Sequence, residues 1–326
     1  MRIGVLGAAR IAPAALMKPA RAVDGVEVAA IAARDRRRAS AFASRYGVPV
    51  VHDSYADVVA DPSLDAVYIP LPNGLHAQWT LAAIRAGKHV LCEKPFTSNT
   101  AQAREVQAAA EGSGVVVMEA FHYRYHPVAQ RMTDIVHSGE LGRIERVETA
   151  MCFPLPRFSD IRYDFGLAGG ALMDAGCYAV HSLRLLTPGG EPVVTGARAL
   201  TLKRDGRVDR AMTARFELPG GGTGHLRTSM WSSTLLRIRA VAVGECGRLA
   251  VTNFAAPHLW SRFTVTVDGR RRRESTSGEA TYAHQLRAFA AAVRGEPTNL
   301  TPPADSVATM HLIDDIYTAA GLPLRT

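Results

Sequence analysis

Lysine is nearly missing from this chain: Lys18, Lys88, Lys94 and Lys203 are the only four among 38 basic side chains. Cysteine is equally sparse. Cys92, Cys152, Cys177 and Cys246 stand far apart with no C-x-x-C pair. That excludes a disulfide framework and a thiolate metal site, so all four are expected to be reduced and structural, and no bound metal is expected. No apolar run reaches membrane-spanning length, so no membrane partner is expected. The N-terminus enters a strand pattern at once, Arg2-Ile3-Gly4-Val5-Leu6, which reads as a strand rather than a signal peptide, so a cytoplasmic protein is the expectation. There is no internal repeat, low-complexity tract or long linker.

What is present fits an ordinary globular chain with room for two domains: 326 residues, 47% hydrophobic and 21% charged. The formal charge is +8. Such a balance suits nucleic acid, acidic lipid or phosphorylated ligands, although an arginine excess equally reflects coding bias. Arg270-Arg271-Arg272-Arg273 follows Asp268-Gly269, a hairpin signal, and reads as a solvated hairpin. No helix-turn-helix or other nucleic-acid module is recognisable, so no nucleic-acid partner is expected.

The first third alternates strands with helices. Strands are expected at Arg2–Leu6, 26–33, Val48–Val51, Leu64–Ile69, His89–Cys92 and Val115–Met118, with helices from Pro13 to Val23, after Asp35, after Asp53-Ser54, from about Gly74 to Ala86 and over Thr100–Glu111. That order argues for a parallel sheet covered on both faces. After about Phe121 the rhythm changes. A helix follows Pro127 and another starts near Gly169-Gly170. From Val193 to Val267 the pattern is alternating strands broken by turns, and helices over about Thr281–Arg294 and Asp305–Ala320 close the chain. The second part therefore reads as α+β with a largely antiparallel sheet. The expected domains are residues 1–121 and 122–326.

The turn after the first strand, Gly7-Ala8-Ala9-Arg10-Ile11-Ala12, keeps the first glycine of the dinucleotide fingerprint G-x-G-x-x-G and places Ala9 and Ala12 at the other two positions. Small side chains suffice there, so pyrophosphate and strand can approach, but a plain strand–helix turn would read alike. The second strand ends in Ala32-Ala33-Arg34 rather than in a carboxylate. An arginine there can make a forked, charge-assisted contact with a 2′-phosphate, which points to NADP over NAD, with Arg34 as the phosphate ligand and Arg38 one turn on as a second.

Five segments in register over the whole chain resemble the glucose–fructose oxidoreductase and inositol dehydrogenase (Gfo/Idh/MocA) family: Gly4–Ala12; Ile69-Pro70-Leu71-Pro72-Asn73-Gly74-Leu75-His76; Glu93-Lys94-Pro95; Met118–Pro127; and Gly169-Gly170-Ala171-Leu172-Met173-Asp174-Ala175-Gly176-Cys177-Tyr178. The resemblance implies an N-terminal Rossmann domain, doubly wound, followed by an α+β domain with an open-faced, mainly antiparallel sheet. It implies NAD(P)-dependent hydride transfer at a carbinol or ketone carbon of a sugar or polyol. On the cofactor it places Gly7, Ala9, Arg10, Ile11, Leu71, Pro72, Asn73, His76, Glu93, Lys94 and Arg124, beside Arg34 and Arg38. It also gives Lys94 its reason: the lysine of Glu-Lys-Pro is the family's catalytic residue, its bond to proline commonly cis.

Hydride transfer needs a partner proton transfer. Asp174, Tyr178 and His181 share one stripe of an expected helix. Tyrosine at position 178 resembles the glucose–fructose oxidoreductase and dihydrodiol dehydrogenase branch, where it lies against the lysine. A lysine cation would stabilise a tyrosinate, so Tyr178 is assigned the proton and Lys94 the tuning and the substrate oxygen; the reverse division is open to the same pair. Asp174 orients a substrate hydroxyl or caps the helix start. His181 and His122 lie on the substrate side, and Glu93 shapes the turn rather than acting as a base. Aldose oxidation and ketosugar reduction both fit. A non-catalytic NADP-binding regulator is the alternative. The open sheet face needs cover, so a homodimer or homotetramer through it is expected.

Overall fold

The strands of the first third are short runs of almost wholly buried apolar residues, the pattern of a sheet covered on both faces. In the computed structural model, which describes residues 1–275 and 278–326, they are β1 (Arg2–Leu6), β2 (Glu27–Ala32), β3 (Val50–Val51), β4 (Ala66–Ile69), β5 (His89–Cys92) and β6 (Val117–Glu119). All pair in parallel, in the order β3-β2-β1-β4-β5-β6. This is the doubly wound topology the alternation implied. The strand order reverses between β1 and β4, and a ligand crevice belongs at the carboxyl ends of those strands.

The expected helix over Pro13–Val23 is instead a π-helical turn, Pro13–Met17, followed by one α-turn, Lys18–Ala20. Pro19 has no N–H to return to Ala15, and a widened turn before it is one way to absorb that loss. Asp35 does cap the next helix, Arg36–Tyr46, accepting from Arg37 N at 2.9 Å. Ser54 and Asp57 form a reciprocal capping box on Tyr55–Ala60.

By its contacts the chain divides into two compact units, Met1–Tyr125 with Glu279–Val307, and His126–Gly278 with Ala308–Thr326. In the first, Leu286 and Phe289 of helix Thr281–Val293 join the core with Ile3, Val5, Leu16 and Met118.

The second unit is built on eight strands: β7 (Ile144–Cys152), β8 (Val193–Thr201), β9 (Asp209–Glu217), β10 (Thr223–Ser229), β11 (Arg237–Gly244), β12 (Gly247–Thr252), β13 (Arg262–Val267) and β14 (Arg270–Glu274). Their order is β14-β13-β12-β11-β7-β10-β9-β8. All neighbours are antiparallel except β7 and β10. The sequence reading missed β7, although it is a central strand. Its last stretch, Thr149-Ala150-Met151-Cys152, is buried on both sides and has lost the alternation that betrays a strand. The other strands alternate cleanly: Met212, Ala214 and Phe216 of β9 are buried, while Thr213, Arg215 and Glu217 are exposed. Helix Cys177–Leu185 covers the apolar face against β7, β10 and β11. The β13–β14 turn uses Asp268 and Gly269 at φ +48° and +76°, so the arginine run is one strand of a hairpin: Arg272 Nε donates to Glu274 Oε1 at 2.9 Å, while Arg270, Arg271 and Arg273 are exposed. Among the described residues no helix is long and apolar enough to cross a membrane, and no cluster of metal-ligating side chains occurs.

Candidate active site

In the first unit the sequence-selected residues gather at the carboxyl ends of β1, β4 and β5. Gly7 closes β1 with φ +114° and donates its N–H to Ala32 O at 2.7 Å, tying the first turn to the end of β2. A Cβ there would lie 3.1 Å from Leu71 Cδ2, so glycine is needed both for the angle and for the approach of the loop after β4. The 3₁₀ turn Asn73–Leu75, preceded by Pro72, leads that loop into helix His76–Arg85, with Leu71 and Asn73 buried. Arg10 and Ile11 are exposed on the first turn and Ala9 is half-buried. Arg34 is exposed at the end of β2, and Arg38 Nη2 donates to Ala8 O at 3.3 Å, which sets a second cation against the same turn.

His76 is fully buried between two loops, with Nδ1 2.7 Å from Pro95 O and Nε2 2.8 Å from Leu71 O. Burial pulls its pKa down, the two carbonyls oppose that, and Lys94 adds to the downward pull. Both ring nitrogens are thus occupied by backbone, and His76 pins the Leu71 loop to the Lys94-Pro95 segment, whose peptide bond is cis. Lys94 is half-buried. Its neighbour Glu93 is buried, and Tyr68 OH donates to its Oε1 at 2.7 Å. Desolvation raises the Glu93 pKa, with Lys94 the largest opposing influence. The Glu93 carboxyl is thus tied to β4 through Tyr68 and feels the Lys94 charge.

His122 is buried, its Nδ1 2.8 Å from Thr281 Oγ1 and its ring 4.1 Å from that of Tyr282. Burial, and secondarily the Glu93 carboxylate, push the Tyr282 phenol up. Arg124 lies two residues on, with Nε and Nη1 buried and without a hydrogen-bond partner among the described residues. Sequence reasoning missed Tyr68, Thr281 and Tyr282. Tyr68 sits inside an apolar strand, and the other two lie about 160 positions beyond His122, so no local signal marks any of them.

In the second unit Asp174 lies in a π-helical turn, Leu172–Gly176, from which the α-helix Cys177–Leu185 continues with Tyr178 and His181. The single α-helical stripe expected for the three is therefore widened at its start; such turns recur at functional sites. Tyr178 is 7% exposed and His181 fully buried. Asp174 does not cap the helix start: Asp209 Oδ2 accepts from Leu172 N at 2.7 Å. Asp174 Oδ1 instead lies 3.4 Å from Arg162 Nε, and Arg162 also donates to Asp160 at 3.1 Å.

The glycines before this turn answer to a buried charge cluster. Arg325 Nη2 donates to Asp209 Oδ1 at 2.8 Å with both side chains fully buried, and Arg325 Nε donates to Gly169 O at 2.8 Å. Tyr317 OH donates to the same carboxylate oxygen at 2.9 Å, and the guanidinium carbon lies 4.0 Å from the Tyr317 ring centre. Gly170 has φ +145°, and a Cβ there would collide with Asp209 Oδ1. Gly176 lets the helix close on the sheet, since its Cβ would come within 3.0 Å of Thr228 Cγ2. Burial drives the Asp209 carboxyl upward, and Arg325 is the strongest influence holding it ionised.

The donor set of the first unit suits a nucleotide carrying an extra phosphate. A turn without a Cβ at Gly7, exposed Arg34, Arg38 against that turn and buried guanidinium nitrogens of Arg124 fit a polyanionic ligand, and no carboxylate closes β2.

Comparison with known proteins gives a consistent picture. Residues 1–121 match the family described as "Oxidoreductase family, NAD-binding Rossmann fold", and residues 129–250 match the "GFO/IDH/MocA C-terminal domain". The chain is 40% identical over 323 residues to D-xylose 1-dehydrogenase (NADP(+)) 2 of Haloferax volcanii, covering 98% of this chain and 97% of that protein. It is 31% identical over 247 residues to trans-1,2-dihydrobenzene-1,2-diol dehydrogenase of Xenopus laevis, covering 75% and 71%. Among solved structures, a 3-ketoreductase from Actinomadura kijaniata in complex with NADP and TDP-benzene matches with a TM-score of 0.88 at 30% identity, over 98% of this chain and 97% of that one.

Proposed function

Because this chain belongs to the GFO/IDH/MocA family of oxidoreductases, we propose that it oxidises the C1 carbinol of an aldose of about pentose size with NADP⁺ as acceptor. The observation that carries this reading is the end-to-end likeness, 40% over 98% of the chain, to an NADP-dependent D-xylose dehydrogenase. NADP is the cofactor, in keeping with the relatives and with the arginine-lined end of β2.

NADP, when bound, exchanges a hydride with the substrate carbon. The chain's own residues do the rest. Gly7 admits the cofactor backbone to the turn, and Arg34 and Arg38 hold the 2′-phosphate. Oxidation removes two hydrogens from the carbinol, one as hydride and one as a proton. Tyr178 takes the proton from the hydroxyl oxygen, and Lys94 holds that oxygen and favours the phenolate by its charge. Asp174, held by Arg162, orients a neighbouring hydroxyl, and His122 and His181 face the substrate side. His76 keeps the Leu71 and Pro95 loops in register.

Ketosugar reduction is the second reading. It is favoured by the TM-score of 0.88 to the NADP-bound 3-ketoreductase, and it runs the same proton path in reverse.

The test is to follow NADP⁺ reduction with a panel of aldopentoses and aldohexoses, and NADPH oxidation with nucleotide-linked ketosugars. Turnover on free aldoses with NADP⁺ is the expected result. Turnover confined to the ketosugars replaces the first reading by the second, and turnover on neither overturns both. Arg34→Ala should raise the KM for NADP⁺ by about tenfold or more, the scale of one charge-assisted phosphate contact, and change that for NAD⁺ by less than about twofold. Equal effects on the two cofactors would remove Arg34 from the phosphate site.

A further inference from the structure

The phenol of Tyr55 plays no part in holding the first unit together. Tyr55 opens the helix Tyr55–Ala60, but the start of that helix is closed by Ser54 and Asp57 without it. The half-buried ring packs edge-on against Trp79 of helix His76–Arg85, with centroids 5.2 Å apart and planes at 84°. These two helices precede and follow β4, so the pair stands beside the point where the strand order reverses. The hydroxyl is aimed at the first turn. It lies 3.8 Å from the position a Cβ would take on Gly7; with the neighbours of Gly7 in the chain set aside, Leu71 Cδ2 is the other described atom within 4 Å of that point. Among the described residues Tyr55 OH makes no hydrogen bond. A phenol offers one donor and two lone pairs, and a packed tyrosine usually has its oxygen paired.

Neighbouring residues fix which half of a dinucleotide this oxygen faces. Gly7 donates its N–H to Ala32 O at 2.7 Å, which ties the turn to the end of β2, where Arg34 and Arg38 gather. Lys94 follows β5, two strands from β1 on the other side, and marks the end where hydride is exchanged. Tyr55 is reached from β3, the edge strand next to β2. It therefore belongs with the adenosine half. The 2′-phosphate has two cations of its own, whereas a neutral donor beside Gly7 suits the diphosphate and ribose oxygens that NADP and NAD share.

We propose that Tyr55 anchors the cofactor: its phenol donates to a diphosphate or ribose oxygen of the adenosine half, and Trp79 positions the ring. This role rests on NADP being the ligand of the first unit, and unlike that of Arg34 it is exerted on NADP and NAD alike.

Equilibrium titration with NADPH and NADH, followed by the cofactor's own emission, tests this without turnover. Tyr55→Phe removes an oxygen bonded to nothing else in the chain, so the thermal midpoint should stay within about 2 °C of wild type. The Kd should rise about fivefold for NADPH and, within about twofold, by the same factor for NADH, the scale of one neutral hydrogen bond. Displacement of NADPH by ADP should weaken to the same extent, and displacement by nicotinamide mononucleotide should not change. Trp79→Ala should raise the Kd about threefold in the wild-type background and add nothing once Tyr55 is replaced by phenylalanine, because the two act as one unit. Failure of the wild-type protein to bind NADPH would remove the cofactor assignment and this proposal together. Binding by the wild type with an unchanged Kd in Tyr55→Phe would overturn this proposal alone. So would an effect confined to NADPH, weaker displacement by nicotinamide mononucleotide, or additive losses in the double variant.

Discussion

Lys94→Met lowers kcat on the preferred aldose by about a hundredfold or more, the usual scale of an acid–base contribution, while NADP binding measured by fluorescence changes by less than about threefold. The substitution removes the amine and keeps the volume, so packing in the Glu93-Lys94-Pro95 segment is preserved. It also removes the largest influence opposing desolvation of Glu93, a carboxyl that is 7% exposed and bonded to Tyr68. Glu93 then rises further toward its neutral form. Lys94→Arg separates the two effects: a guanidinium keeps the charge beside Glu93 but does not exchange a proton near neutral pH. If Lys94 only tunes, the arginine variant recovers much of the lost rate; if Lys94 moves the proton, it stays as slow as methionine. Tyr178→Phe should fall by a similar factor and lose the corresponding limb of the pH–rate profile. Near wild-type turnover in Tyr178→Phe would reduce the tyrosine to packing.

Arg325→Met destabilises the second unit by about 3–5 kcal/mol, because it strands the Asp209 carboxylate in a fully buried site. In a unit of this size that lowers the thermal midpoint by roughly 10 °C. The pair is worth less than its loss implies. Arg325→Met together with Asp209→Leu, which removes both charges, should recover most of the stability. Because Arg325 also donates to Gly169 O, and Asp209 also accepts from Leu172 N, the single variant loosens the turn that carries Asp174 and leads into the helix of Tyr178. Activity should therefore fall before the unit melts. A loss of under about 1 kcal/mol for Arg325→Met would mean that water reaches the pair and that the cluster does not organise the turn.

The sequence by itself determined whatever depends on residues close together along the chain. Alternating strands and helices argued for a parallel sheet, since each helix supplies the crossover that a parallel strand pair needs. Gly7 was legible because a tight turn after β1 tolerates no Cβ, and Arg34 because a missing carboxylate at the end of β2 changes which ribose fits. Glu93-Lys94-Pro95 and Gly169–Tyr178 stood out as short unbroken motifs. Tertiary structure alone decided the rest. β7 was hidden because a strand buried on both faces loses its period of two. Asp209 and Arg325 gave no sign, since a buried ion pair between residues 116 positions apart has no local pattern, and only folding shows that Gly170 is glycine to make room for it. The same holds for charge. Read along the chain the arginines are dispersed, but pairing β8, β10 and β11 through β9 and β7 sets Arg198, Arg227 and Arg239 in one row, because strand register, not sequence distance, decides which side chains share a face.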